Sequence, residues 1–247
     1  MNMIMLREKC QSPRKAQDTW WGLNFARRIS IYMTVFFVRT GVHAMGVTTV
    51  FLLCGIASAA FFALGGRLNF FIGALLLQLW YILDHVDGEV ARYFEESSLT
   101  GVYYDEVVHY IVHPAVLFGI GFGLLRTTGS RLLLLLGAAA ALGIVLLSVI
   151  MDLKKVVILE HRASSGTEKA PEGDGTERSF AARAFSAIHL ACTFPAIMNV
   201  ITVSVIIDLV FRSVTVWYVL AVYAALINLV WISRLFVFIK ERRVDKG

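Results

Sequence analysis

The chain has 247 residues, of which 57% are hydrophobic and only 17% charged, and its mean hydropathy is +0.69. That composition excludes an ordinary soluble domain of this length and places the chain in a bilayer. The formal charge of +5 is gathered into three clusters, and with no nucleic-acid motif beside them their anionic partner is membrane lipid rather than nucleic acid.

Residues 1–43 read as a cytoplasmic N-terminus that leads into an interfacial helix. Its start mixes polar and charged residues without an apolar core and small-residue cleavage site, so no removable signal peptide is expected. From Trp20 to Val38, Trp21, Phe25, Ile29, Tyr32, Phe36 and Phe37 alternate with Arg27 and Arg28, the pattern of an amphipathic helix lying in the membrane interface. Six transmembrane helices follow within residues 44–240: Ala44 to Leu64, Leu68 to Tyr93, Leu99 to Leu125, Leu132 to Leu153, Phe185 to Phe211 and Val214 to Ile239. The expected fold is therefore all-α and polytopic. Pro195 should bend the fifth span.

The hinges at Gly65-Gly66-Arg67, Thr127-Thr128-Gly129-Ser130 and Arg212-Ser213 carry few positive charges. By contrast, Arg7, Lys9, Arg14, Lys15, Arg27 and Arg28, the central loop (Lys154, Lys155, Arg162, Lys169, Arg178) and the tail 241–247 are basic, which puts these segments and both termini in the cytoplasm. The loop 161–183 is polar and Gly-containing, the composition of a flexible linker. Cys10, Cys54 and Cys192 stand alone in sequence and support neither a disulfide framework nor a zinc site.

Chemistry concentrates in Asp84-His85-Val86-Asp87-Gly88-Glu89-Val90-Ala91-Arg92 and, further on, Gly101, Asp105, His109 and His113. Helical spacing puts Asp84, Asp87, Gly88 and Ala91 on one face of the second span, and Gly101, Asp105, His109 and His113 on one stripe of the third. The two stripes are able to face each other. Carboxylates at membrane depth cost about 3 kcal/mol each on insertion scales, so three converging without matching bases call for a divalent cation. Hard oxygen ligands suit Mg²⁺ or Mn²⁺, and such ions bind through a few carboxylates together with substrate phosphate. Gly88 and Ala91 let a ligand approach the backbone, and Arg92 offers a fork of donors for phosphate. The competing reading is ion pairing of these carboxylates with Arg92 or Arg39. His85, Glu89 and Glu106 fall off the two stripes and are left out of the core site.

These residues resemble the signature of the CDP-alcohol phosphotransferase (CDP-alcohol phosphatidyltransferase) family, D-x-x-D-G-x-x-A-R, then about eight residues, then G-x-x-x-D-x-x-x-D. Asp84, Asp87, Gly88, Ala91, Arg92, Gly101 and Asp105 match it, with eight residues between Arg92 and Gly101. Thr48 and Gly55 keep the spacing of a further family motif in the first span, although Ala44 and Met45 replace its Pro and Asn. The chain departs from the signature at its last position, where His109 stands for Asp. The resemblance implies six membrane helices, a homodimer, and two divalent ions, Mg²⁺ or Mn²⁺, held by Asp84, Asp87, Asp105 and His109. It implies a nucleotide site at Thr48, Asp84, Gly88, Ala91, Arg92 and Gly101, and His109 as the base on the acceptor hydroxyl; apart from the resemblance, His113, one turn beyond His109, and Arg234, a charge within an apolar helix, are candidate acceptor contacts by position.

The implied activity is transfer of a phospho-alcohol group, foremost phosphatidyl from CDP-diacylglycerol, to a polar or lipid alcohol with release of CMP, in a bacterial inner membrane with the site facing the cytoplasm. The motif leaves the acceptor open, along with whether donor or acceptor carries the lipid. Three rivals stand beside it: a CDP-lipid binder disabled by His109, an aspartate-rich membrane prenyltransferase, for which the later helices supply only Asp208, and a transporter, which would need the paired broken helices that are missing here.

Overall fold

The computed structural model describes residues 3–12, 21–165 and 192–240, all of them helix or short connection. In chain order the helices are α1 (Met3–Cys10), α2 (Arg27–Thr40, entered through a π-helical turn at Gly22–Ala26), α3 (Ala44–Leu64), α4 (Arg67–Phe94), α5 (Leu99–Thr128), α6 (Arg131–Ser165), α7 (Phe194–Phe211) and α8 (Thr215–Lys240). Six of them, α3 to α8, are long and apolar enough to cross a membrane, which makes the chain an integral, multi-pass membrane protein. The last residues of the expected central loop, the start of the expected fifth span, His189, Trp20 and the tail 241–247 lie outside the described residues.

Helix ends follow local chemistry. Gly41, Gly65 and Gly129 take positive φ after α2, α3 and α5, the conformation that stops a helix at least cost for glycine. Ser98 caps α5 by accepting the Gly101 N–H at 3.0 Å. Two expected boundaries move. The fourth span does not end at Leu153 but continues to Ser165, because no Gly or Pro interrupts the chain between Gly143 and Gly166. The fifth membrane helix begins at Phe194 rather than running through from Phe185. Pro195 therefore occupies its first turn, where its missing N–H has no helical partner to lose, and it starts the helix instead of bending it.

In the bundle α3 packs on α4 and α5, α5 on α6, α6 on α8, and α7 on both α4 and α8. Small residues set the close approaches. A Cβ on Gly121 would lie 2.8 Å from the Gly137 Cα, and one on Gly55 would meet Val112 at 2.5 Å and Trp80 at 2.7 Å. Glycine at such contacts lets helices gain dispersion in lipid, where no hydrophobic effect pulls them together.

The N-terminal elements wrap the C-terminal end of α4. Helix α2 buries Arg27, Ser30, Ile31, Thr34 and Phe37, while Tyr32 and Phe36 face outward. Its polar buried stripe meets Glu89, which is 1% exposed and accepts from Ser30 Oγ (2.6 Å), Thr34 Oγ1 (2.6 Å) and Gln11 Nε2 (2.8 Å). Glu89 lies off the Asp84 face, as its spacing predicts, and it is a structural carboxylate rather than a spectator. The Arg27 guanidinium closes this network on the Gln11 carbonyl at 2.7 Å. Glu89→Ala orphans three buried donors and should cost about 3 kcal/mol. Thermal unfolding in detergent checks this, with Glu89→Gln expected to recover most of the loss. All three cysteines are free, and burial pushes the Cys10 thiol up, away from the reactive thiolate.

Candidate metal centre at one end of the bundle

The C-terminal turns of α4 and the N-terminal turns of α5 lie at one end of the bundle, and the side chains of the two stripes meet between them there. His109 Nε2 stands 3.2 Å from Asp84 Oδ1 and 3.3 Å from Asp105 Oδ1. The ligand atoms of Asp84, Asp105 and His109 all fall within 4.8 Å of one another. Two carboxylates are thus drawn around one imidazole nitrogen that carries at most one positive charge. Asp105 Oδ1 is buried without a hydrogen bond of good geometry. An oxygen in that condition has lone pairs to give, and the donor set of two hard oxygens and a borderline nitrogen fits a Mg²⁺ or Mn²⁺ ion.

Asp87 stands outside that group of three. It is buried, 9% exposed, one turn beyond Asp84 on α4, and Thr48 Oγ1 donates to its Oδ2 at 3.2 Å. Thr48 also bonds the Ala44 carbonyl at 3.0 Å, which fixes its hydroxyl. The first-span Thr therefore orients a carboxylate of the motif, and Gly55, two turns on, admits Trp80 and Val112 close to α3.

His109 is held on every side. Its Nδ1 lies 3.2 Å from His113 Nε2, and the rings of Phe51 and Trp80 present edges at 5.5 and 5.4 Å. His113 in turn stacks on Phe194, centroid to centroid 3.7 Å, so α7 braces the imidazole pair from the far side. His85 Nδ1 lies 3.0 Å from the Tyr81 carbonyl oxygen and 3.8 Å from Asp84 Oδ2.

The other expected residues are placed as follows. Gly88 carries the Arg92 guanidinium across it: a Cβ there would lie 3.2 Å from Arg92 Nη1. Arg92 Nε donates to the Cys10 carbonyl, which ties this motif residue to the N-terminal helix. Gly101 sits in the Ser98 cap, and Ala91 closes α4 by accepting the Glu96 N–H at 2.9 Å. Arg234 lies on α8, toward its C-terminal end.

Next to the imidazoles a recess of about 130 Å³ opens between α5 and α6. His109 and His113 form one wall, and Glu106, Tyr110, Ser148 and Asp152 contribute the other polar groups. Tyr110, Ser148 and Asp152 escape a reading of the motif alone, because the recess joins helices some forty residues apart in sequence. Asp208, the only acid of the later helices, accepts from Ser213 Oγ (2.6 Å) and the Thr215 N–H (2.6 Å), a turn-stabilising role at the opposite end.

A bundle of six membrane helices with clustered acids and imidazoles at one end defines a membrane-embedded transferase of the phosphate-handling kind. The family model described as CDP-alcohol phosphatidyltransferase matches residues 42–222, and the chain belongs to that family. It is accordingly an enzyme of CDP-alcohol phosphatidyl transfer, active in lipid synthesis. No curated protein matches the chain by sequence. Among solved structures, Mycobacterium tuberculosis phosphatidylinositol phosphate synthase (PgsA1) with CDP-DAG bound shares the fold, with a TM-score of 0.62 and 19% identity over 85% of this chain and 92% of that one. The same synthase with manganese and citrate gives 0.60 and 19%, covering 84% and 88%, and its apo form 0.57 and 18%, covering 83% and 94%.

Proposed function

We propose that the chain transfers a phosphatidyl group from CDP-diacylglycerol, or a close CDP-alcohol, to the hydroxyl of a polar alcohol, releasing CMP. The observation that carries this is the convergence of Asp84, Asp105 and His109 within 4.8 Å on the two helices that bear the family signature. Support for the donor comes from the CDP-DAG complex of the mycobacterial fold relative.

Asp84, Asp87 and Asp105, with His109 beside them, would hold two Mg²⁺ or Mn²⁺ ions, whose chemistry is to neutralise the diphosphate as charge develops on it. Thr48 keeps Asp87 in place. Gly88, Ala91 and Gly101 leave the backbone open to the nucleotide, and Arg92 lies across Gly88 with its guanidinium on the same face. His109 takes the proton of the acceptor hydroxyl; the oxygen bonds to the phosphorus that bears the alcohol, the bond from that phosphorus to CMP breaks, and CMP leaves with the electron pair. For this His109 must be neutral with its Nε2 released from the Asp84 and Asp105 oxygens at 3.2 and 3.3 Å, which divalent ions would draw to themselves, while Nδ1–H donates to His113 Nε2. Phe51, Trp80 and Phe194 shield the imidazoles from water.

The site faces the cytoplasm in this reading, because Arg27, Arg28, Lys154, Lys155 and Lys240 lie at the same end of the bundle. The amphipathic α2 lies in the membrane interface, and the protein works as a homodimer in a bacterial inner membrane. The test is CMP release by purified protein in nanodiscs with CDP-diacylglycerol, Mg²⁺ or Mn²⁺ and a panel of alcohols. Release that depends on both acceptor and metal is expected; release without either removes this reading.

A further inference from the structure

We infer that the recess between α5 and α6 is the acceptor site and that it selects a small alcohol bearing no negative charge, a polyol or an amino alcohol, over its phosphorylated counterpart. The inference rests on the transferase reading above. The recess shares His109 with the cluster, so an alcohol bound there presents its hydroxyl to the base. Its volume of about 130 Å³ suits a small alcohol.

The charge of the walls decides the class. Glu106 and Asp152 are carboxylates, Tyr110 and Ser148 are hydroxyls, His113 is an imidazole, and among the described residues no Lys or Arg lines the space. Tyr110 Oη donates to Asp152 Oδ2 at 2.8 Å, which spends the phenol proton within the protein. Lys155 Nζ reaches Asp152 Oδ1 at 2.6 Å and is 67% exposed; it does not line the recess, and it offsets part of the Asp152 charge while Glu106 has no such partner in the lining. Pro114 lacks the N–H that would bond the Tyr110 carbonyl, and this leaves one more acceptor at the same level of α5.

A phosphate monoester seeks convergent Arg or Lys donors. Here it would meet two carboxylates in a medium of reduced dielectric, where like charges repel strongly. The hydroxyls of a polyol, or an ammonium beside a hydroxyl, find acceptors in Glu106 and Asp152 instead.

The test uses wild type, Asp152→Lys and Asp152→Asn in nanodiscs with CDP-diacylglycerol and Mn²⁺, and matched acceptors: glycerol against glycerol 3-phosphate, inositol against inositol 1-phosphate, and ethanolamine against serine. CMP release gives kcat and KM, and calorimetry with CMP present gives acceptor binding independently of turnover. The uncharged or cationic member of each pair should lead by about tenfold or more in kcat/KM, the scale at which a misplaced charge discriminates. Asp152→Lys should narrow or reverse that lead through KM, with Asp152→Asn between the two. Polyol and amino alcohol are separated by which pair shows the larger lead. A lead for the partner bearing the phosphate or carboxylate, or a ratio unmoved by Asp152→Lys, overturns the inference. If no acceptor releases CMP, the transferase reading fails, and calorimetry still decides the recess: heat from the bare alcohol that Asp152→Lys abolishes upholds its selectivity, and heat from the phosphorylated partner refutes it.

Discussion

Asp84→Asn and Asp87→Asn are each expected to lower CMP release by about a hundredfold to a thousandfold, the scale of losing one group aimed at developing charge in a water-poor site. Both substitutions keep the side-chain shape and remove only the charge, so the helices should stay packed. Asp84 Oδ1 lies 3.2 Å from His109 Nε2, and an Asn amide fills the same space beside that ring. Asp87 accepts from Thr48, and its Asn counterpart retains an acceptor for that hydroxyl. What neither amide does is hold a divalent cation with a full negative charge. Saturating Mn²⁺ should therefore recover part of the loss in the variants, and nucleotide-dependent thermal stabilisation, read on the same samples, should weaken in parallel. Turnover unchanged in both variants would sink the metal role, whatever the fold resemblance says.

The sequence makes the membrane helices legible because each is a long apolar run bounded by a short polar or glycine-bearing hinge. The expected first span, Ala44 to Leu64, coincides with α3, and the third begins at Leu99 as expected, where Ser98 supplies the cap. Boundaries slip where a punctuating residue is misread. Pro195 opens α7, and the charged stretch after Leu153 keeps its helical form because polarity alone does not end a helix.

The core of the site is legible for a different reason. The spacings i, i+3 on α4 and i, i+4 on α5 project side chains to one face whatever the tertiary detail, so Asp84, Asp105 and His109 meet as the pattern predicts. Contacts between elements distant in sequence leave no such periodic trace. Glu89 looks like a stray acid until Ser30, Thr34 and Gln11 are seen around it, and the hold of Cys10 on Arg92 depends on a chain reversal of some eighty residues. Tyr110 and Asp152 have the same character: each is an ordinary helix residue until α5 and α6 bring them to 2.8 Å.

The position that departs from the family signature supplies the second large effect. His109→Ala should lower kcat by about a hundredfold to ten-thousandfold, the range for removing a general base, with little change in donor binding. His109→Asp is the more telling variant. It restores the family residue and keeps a proton acceptor, but it gives up the contact between His109 Nδ1 and His113 and places a third negative charge beside Asp84 and Asp105. Like charges at that spacing repel unless cations lie between them. The Asp variant should accordingly need a higher concentration of divalent ion to reach its maximal rate, and should retain more activity than the Ala variant once that ion is supplied. The bare imidazole reading makes the opposite demand on pH: wild-type kcat should fall as His109 is protonated, whereas the Asp variant should hold its rate to lower pH, since a carboxylate keeps its accepting form there. Wild type silent with every acceptor while His109→Asp turns over would reverse the assignment, because the imidazole would then be the feature that disables the site rather than the base that runs it.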